Sequence, residues 1–415
     1  MPPWLNLSCA CSHSGYRGEE RGVKKKESWS RALLILTAVI LVPAAARAQE
    51  VTPDSLLQQQ LNSLDMAQVQ SFLDEIDREV GEYLPDLSLG AMIRAVREGQ
   101  LHFSLRDILA GLARYLFREL LADSHLLGQL LILAILAAVL QNLQAAFEQN
   151  TVSQTAYTVV FLVLITLAMS SFTVAVTTGR ETIANMTGFI YAILPVVLTL
   201  MASVGGIVSA SLLHPMVLGA IGVLTTVVTD IVFPLIYLAA ILGIVTRITD
   251  RVPVSRLAGL AKDIATAAAG ITLTLFLGLL VIQGLAGTAA DSLTLRTAKY
   301  MTGAFIPVVG KVLTDAVEVV AGTSLLLKDA VGLVGALAIV GLSVFPALKI
   351  LSLVVIYKLS AALVQPFGDS RIADSLDFMG NSLILVFAAV IAVGLMFFMV
   401  LAIIVGLGNI TVMLR

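Results

Sequence analysis

The sequence predicts an all-α, polytopic helical membrane protein, with about seven transmembrane helices and a re-entrant segment. Three observations carry this. The chain is 58% hydrophobic and 13% charged, whereas a soluble domain is about half apolar and about a quarter charged. Its mean hydropathy is +0.94. After residue 125 apolar runs recur, each near or above the roughly 20 residues a helix needs to cross hydrocarbon. A net charge of −2 over 415 residues gives no basic footprint for nucleic acid.

The chain opens with the pattern of a signal peptide over residues 1–48. Lys24, Lys25, Lys26 and Arg31 form a basic region, and Ala32–Val42 a short apolar core. Ala46-Arg47-Ala48 is an A-x-A site, so cleavage between Ala48 and Gln49 is expected. The core is too short to span comfortably, which disfavours an uncleaved anchor. Residues before Val23 do not fit a leader, and a start at the Val23 codon would leave a compact one. Cys9 and Cys11 fall in the removed part, and the whole chain has only four histidines. No metal or cofactor is expected from that inventory.

Residues 49–125 read as an extracytoplasmic amphipathic helical region. Thr52-Pro53 resembles an N-cap followed by proline at the first helical position. Leu57, Leu61, Leu64, Phe72, Ile76 and Val80 recur near helical spacing, and Gly81 and Pro85 interrupt them. A second helix is expected over Ser88–Glu98. Ser104 with Asp107 resembles a capping box. It opens a helix with Ile108, Leu109, Leu112, Leu116 and Leu120 on one face and Arg106, Arg114 and Arg118 off it. Such helices either pack on each other or bind a membrane surface or a partner.

The membrane domain, 126–415, contains apolar runs at about 126–146, 155–178, 188–208, 215–246, 264–288, 330–357 and 381–408. The 215–246 run is too long for one straight span. Pro215 and Pro234 bracket Asp230 there, so a tilt, a kink or a split is expected. His214 reads as a boundary residue. A cleaved leader places Gln49–Ser124 outside the cytoplasm, and counting spans then puts Arg247–Asp263 outside as well. That loop carries Arg247, Arg251, Arg256 and Lys262, which the positive-inside rule places inside. Either the 215–246 run crosses twice, or the loop is interfacial and its charges pair with Asp250 and Asp263.

Between two of these runs, Asp291–Asp329 carries Arg296, Lys299, Lys311, Asp315, Glu318 and Lys328, with Gly303, Pro307, Gly310 and Gly322. Charge and broken backbone are costly in hydrocarbon. The segment therefore reads as a loop, a re-entrant piece near 303–325 or a pathway lining. Lys311, Asp315 and Glu318 share one helix face; they line a pathway, or they form a solvated, self-paired interfacial stripe. Pro307 and Gly310 are candidate gating positions beside them. Asp230 and Lys349 sit inside apolar runs and are pathway candidates or interface residues. Lys358 is expected to snorkel. Gln365-Pro366-Phe367-Gly368-Asp369 has strong turn chemistry. Gln365, Pro366 and Asp369, with Arg296 and Lys299, are candidate partner contacts, a simple turn being the alternative. No phosphate-binding lysine loop, G-x-S-x-G or H-E-x-x-H pattern occurs, so no catalytic residue is expected.

Longer motifs carry a family resemblance. RTAKYMTGAFIPVVGK (Arg296–Lys311), SLLLKDAVGLVG (Ser324–Gly335), FPALKI (Phe345–Ile350), QPFGD (Gln365–Asp369) and GLMFF (Gly394–Phe398) resemble the stage III sporulation protein AE family. The resemblance implies a role in endospore formation, in a set of mother-cell proteins of the outer forespore membrane. Implied partners are ring-forming subunits, a secretion-type ATPase and, across the intermembrane space, a forespore membrane protein. It implies a permease or gate-like subunit of a channel or secretion-like complex, and carries over no catalytic residue. A stand-alone transporter coupling ions through Asp315, Glu318 and Asp230, or a structural scaffold, are the competing readings.

Overall fold

The computed structural model describes residues 66–80, 105–146, 151–248, 254–305, 309–367 and 370–413. Helix fills these segments apart from short turns. The leader, its cleavage site at Ala48 and Gln49, and the helix expected over Ser88–Glu98 lie outside the described residues. Two short helices come first, α1 (Ala67–Val80) and α2 (Leu105–Ala122). They are followed by α3 (Ser124–Ala146), α4 (Thr151–Ser203) and α5 (Ile207–Thr226). A π-turn (Val227–Val232) joins α5 to α6 (Phe233–Ile248). The long helices α7 (Ser255–Phe305), α8 (Val309–Val364) and α9 (Ser370–Met413) complete the bundle, with a 3-10 turn (Gln365–Phe367) between the last two.

Six helical stretches are long and apolar enough to cross a membrane: Ser124–Asn142, Gln154–Ser203, Ile207–Arg247, Ser255–Thr294, Val320–Phe367 and Arg371–Leu407. The sequence led us to expect about seven. The difference lies in α4, where the runs at 155–178 and 188–208 join in one helix of 53 residues. The polar stretch between them, Gly179-Arg180-Glu181, holds a single glycine and no proline, too little to stop a helix.

The 215–246 run is likewise one continuous rod. Pro215 sits inside α5 with His214 beside it, both exposed within the helix rather than at a boundary. Pro234 explains the π-turn. It has no N–H to give the Asp230 carbonyl, so the regular i to i−4 ladder fails there. Phe233 N–H instead reaches back five residues to the Val228 carbonyl. The re-entrant piece expected near 303–325 falls across the end of α7 and the start of α8. Residues 306–308 lie outside the described residues, α7 runs helically up to Phe305, and α8 runs unbroken from Val309 through Gly310 and Gly322.

The most extensive pairing is between α8 and α9, and α2, α3 and α4 also pack on α8. Register is set at polar points. The Lys328 side chain on α8 is fully buried, and its Nζ donates to the Val405 carbonyl of α9 at 2.8 Å. Buried Tyr357 donates its hydroxyl to the Ala168 carbonyl of α4 at 3.1 Å and also bonds the Ser171 hydroxyl. Between Lys328 and Lys349 the helix rises about 32 Å at 1.5 Å per residue. That matches the roughly 30 Å of a bilayer core, and Ser343 is the sole polar side chain between Ala330 and Leu348.

A second polar joint ties α7 to α5. Asp291 is 1% exposed. Its two carboxylate oxygens accept the N–H groups of Val208 and Ser209, at 2.7 and 3.1 Å. These are among the first N–H groups of α5, which have no partner inside their own helix. The carboxylate therefore caps a helix 82 residues earlier in the chain, in the same way as a local N-cap. The preceding turn needs Gly205, whose φ is 107°, a conformation open to glycine at little cost. One helical turn before Asp291, a Cβ added at Gly287 would lie 3.0 Å from the Ser209 Cα. A glycine there lets the two backbones close on each other.

Replacing Asp291 with Ala strands these buried donors, and the expected cost is about 1–3 kcal/mol, read by thermal unfolding of the purified protein in detergent. Gly287→Ala is expected to lower the melting temperature by wedging α5 off α7. Gly278→Ala on the same helix, where an added Cβ meets nothing within 4 Å, is expected to stabilise by about 0.5–1 kcal/mol. Equal responses at the two glycines would refute the close approach.

Candidate functional site

A cavity of about 380 Å³ opens where α1, α2, α4 and α8 meet. Its α4 wall is Thr178, Glu181, Thr182 and Asn185, spaced so that one helix face carries all four. Arg118 and Glu119 come from α2, and Lys349 and Pro346 from α8. Two cations and two carboxylates thus share the lining.

Local sequence puts each group there. The amphipathic pattern of α2 turns Tyr115 onto α8, where its ring meets Phe345 edge-on at 4.9 Å between centroids. That contact holds Arg118 and Glu119 one turn further along, at the cavity. At the end of α2, Asp123 Oδ2 accepts a bond from the Ser352 hydroxyl at 3.2 Å. Pro346 removes one N–H from α8, which deprives the Leu342 carbonyl of its regular donor; Leu342 also lines the cavity. Thr182 returns its hydroxyl to the Thr178 carbonyl at 2.7 Å, so its polarity is partly spent within α4.

The arrangement can hydrate, hold and pass polar or charged groups at the edge of an apolar bundle. Among the described residues no cluster of three or more His, Cys, Asp or Glu could hold a metal ion.

The structure places the sequence candidates unequally. Lys349 lies on the cavity wall. Asp230 is exposed on the π-turn and accepts a bond from the Thr229 hydroxyl at 3.2 Å; it is not part of this cavity. Arg296 is exposed on α7, and Gln365 and Pro366 are exposed in the 3-10 turn. Lys311, Asp315, Glu318 and Gly310 fall on helical backbone at the start of α8. Their side chains, that of Lys299 on α7, and residues Pro307 and Asp369 are outside the described residues.

Lys358 does not snorkel alone. Its Nζ bonds Asp377 at 2.6 Å and Asn381 at 2.8 Å, because α9 brings a carboxylate within reach and pairing is better than reaching for a distant interface. Sequence reasoning missed Glu119, Glu181 and Asn185. The available signal was the short polar stretch between two apolar runs in a segment with no helix breaker.

The sequence model of the stage III sporulation protein AE family matches residues 87–408. A relative named stage III sporulation protein AE, from Bacillus subtilis (strain 168), is 42% identical over 388 residues, covering 92% of this chain and 97% of its own. No solved structure matches. With most of its length matched in both comparisons, this apolar helical chain belongs to the stage III sporulation protein AE family.

Proposed function

We propose that this chain is the permease or gate-like subunit of a channel or secretion-like complex linking mother cell and forespore, sited in the mother-cell-derived outer forespore membrane. The relative's name ties the family to sporulation, and six helices are apolar enough to cross a membrane. The observation that carries the gate reading is the charged cavity between α2, α4 and α8. Charged side chains are retained at such a place at a cost in stability, and a conduit supplies the water that offsets it.

The wall formed by α2 is the movable one. It is a separate 18-residue helix, held on α8 by the Tyr115–Phe345 and Asp123–Ser352 contacts. A shift of α2 opens or closes the cavity without breaking the α8–α9 pair. Lys311, Asp315 and Glu318 stand on the first turns of the same helix as Lys349 and extend the polar path in this reading, with Pro307 and Gly310 beside them. Asp230 is a further ionisable group on the outer face. The sequence holds no nucleotide motif, so an ATPase partner supplies the energy. Ring-forming subunits and a forespore membrane protein complete the assembly, and Arg296, Lys299, Gln365, Pro366 and Asp369 are where partners bind.

Cysteine labelling in sporulating cells tests this. In a host relying on this chain, Asn185→Cys is expected to react with a membrane-impermeant thiol reagent, while Ile132→Cys, on the exposed apolar face of α3, stays unreacted. A shielded Asn185→Cys would favour a scaffold. In the same cells, Glu181→Leu with Lys349→Leu is expected to lower the yield of heat-resistant spores on the order of tenfold at unchanged protein level, as loss of a hydrated charged lining predicts. Unchanged yield would remove the cavity from the path.

A further inference from the structure

A second cavity, of about 660 Å³, lies between the end of α6, the start of α7 and the first turns of α9. Arg247 and Lys262 line it, against one carboxylate, Asp374. The neighbouring Asp377 is already engaged by Lys358 and Asn381. The Arg247 guanidinium lies 4.2 Å over the Phe378 ring and gives Nη1 to the Gly243 carbonyl at 2.8 Å. These contacts fix its plane and leave further donors of its fork. They also require a glycine: a Cβ at position 243 would fall 2.0 Å from the Phe378 ring. Ser255, at the first turn of α7, is also in the lining, and helix N-termini favour anions.

Thr246, Asn381 and Ser382 add polar groups, and the apolar part of the lining has Leu385 and Ile384 on one side and Ala258 on another. Outside it, Leu257 and Leu260 of α7 are more than half exposed, so the cavity borders a surface that suits acyl chains. A free inorganic anion has no use for such a wall, whereas a molecule with a charged head and a hydrocarbon tail uses both parts. Basic pockets between spanning helices are known to suit anionic lipid heads.

We propose that this cavity seats an anionic phospholipid, with the phosphodiester between Arg247 and Lys262 and an acyl chain running out past Leu385 and Leu257. The site is separate from the cavity between α2, α4 and α8 and does not rest on the conduit reading.

The experiment uses the full-length protein, delipidated in neutral detergent, titrated with phosphatidylglycerol, with phosphatidylcholine of the same chains, and with inorganic phosphate, binding being read from the thermal shift. Phosphatidylglycerol is expected to raise the melting temperature and to bind about tenfold more tightly than phosphatidylcholine, the scale of one charge-assisted bond. Lys262 is exposed, so Lys262→Gln keeps the fold and is expected to abolish that preference. Asp374→Asn removes the opposing charge and is expected to tighten binding. Equal responses to the two lipids, a preference unchanged in Lys262→Gln, or a shift reproduced by inorganic phosphate alone would each overturn the lipid site.

Discussion

The α8–α9 pair is held by an ammonium with no water to go to. Lys328 is fully buried, and the Val405 carbonyl and the adjacent Asp329, 3.5 Å away, surround it. Because an unpaired charge in an apolar interior is costly, this contact tolerates no slippage. Sliding α8 by one turn would separate Lys328 from Val405. It would also pull Tyr357 from Ala168 and Lys358 from Asp377, since all three donors stand on one rigid helix. Helices α2, α3 and α4 pack on α8 as well, so its register fixes theirs.

Other joints follow the same logic at smaller scale. Lipid offers no donors or acceptors, so freed backbone groups have to find partners within the protein. The Asp291 carboxylate meets the first N–H groups of α5, and the π-turn before Pro234 reroutes the Phe233 N–H. Close helix approach at glycines then supplies packing where burial of apolar area from water gives no drive between helices. Gly332 on α8 sits so near Val405 that a Cβ would come within 2.2 Å of it, beside the very carbonyl that Lys328 bonds.

Against this economy the two cavities stand out. At the cavity between α2, α4 and α8, α4 keeps Glu181 and Asn185 on a face that could have been apolar. At the other cavity, α6, α7 and α9 gather Arg247, Lys262 and Asp374. Both lie toward the Lys349 side of the stretch that matches a bilayer core. The two charged cavities therefore gather near one edge of that stretch and serve different ends, one suited to a hydrated path and the other to a lipid head.

The amino-acid order by itself determined that the chain is helical and apolar enough to meet lipid, because hydropathy and period are local properties. It also marked Lys349, and the motifs around Arg296–Lys311 and Phe345–Ile350 identified the family. It divided the apolar stretch of α4 into two runs, since a polar stretch such as Gly179-Arg180-Glu181 reads as a gap until its partners are known. Only the tertiary structure decided that α4 runs through, that Lys358 meets Asp377, and that Glu119, Glu181 and Lys349 line one cavity. Those pairings join residues 19 to more than 200 positions apart. No window along the chain contains both partners, and whether a charge is exposed, paired or facing water depends on which helix lies opposite.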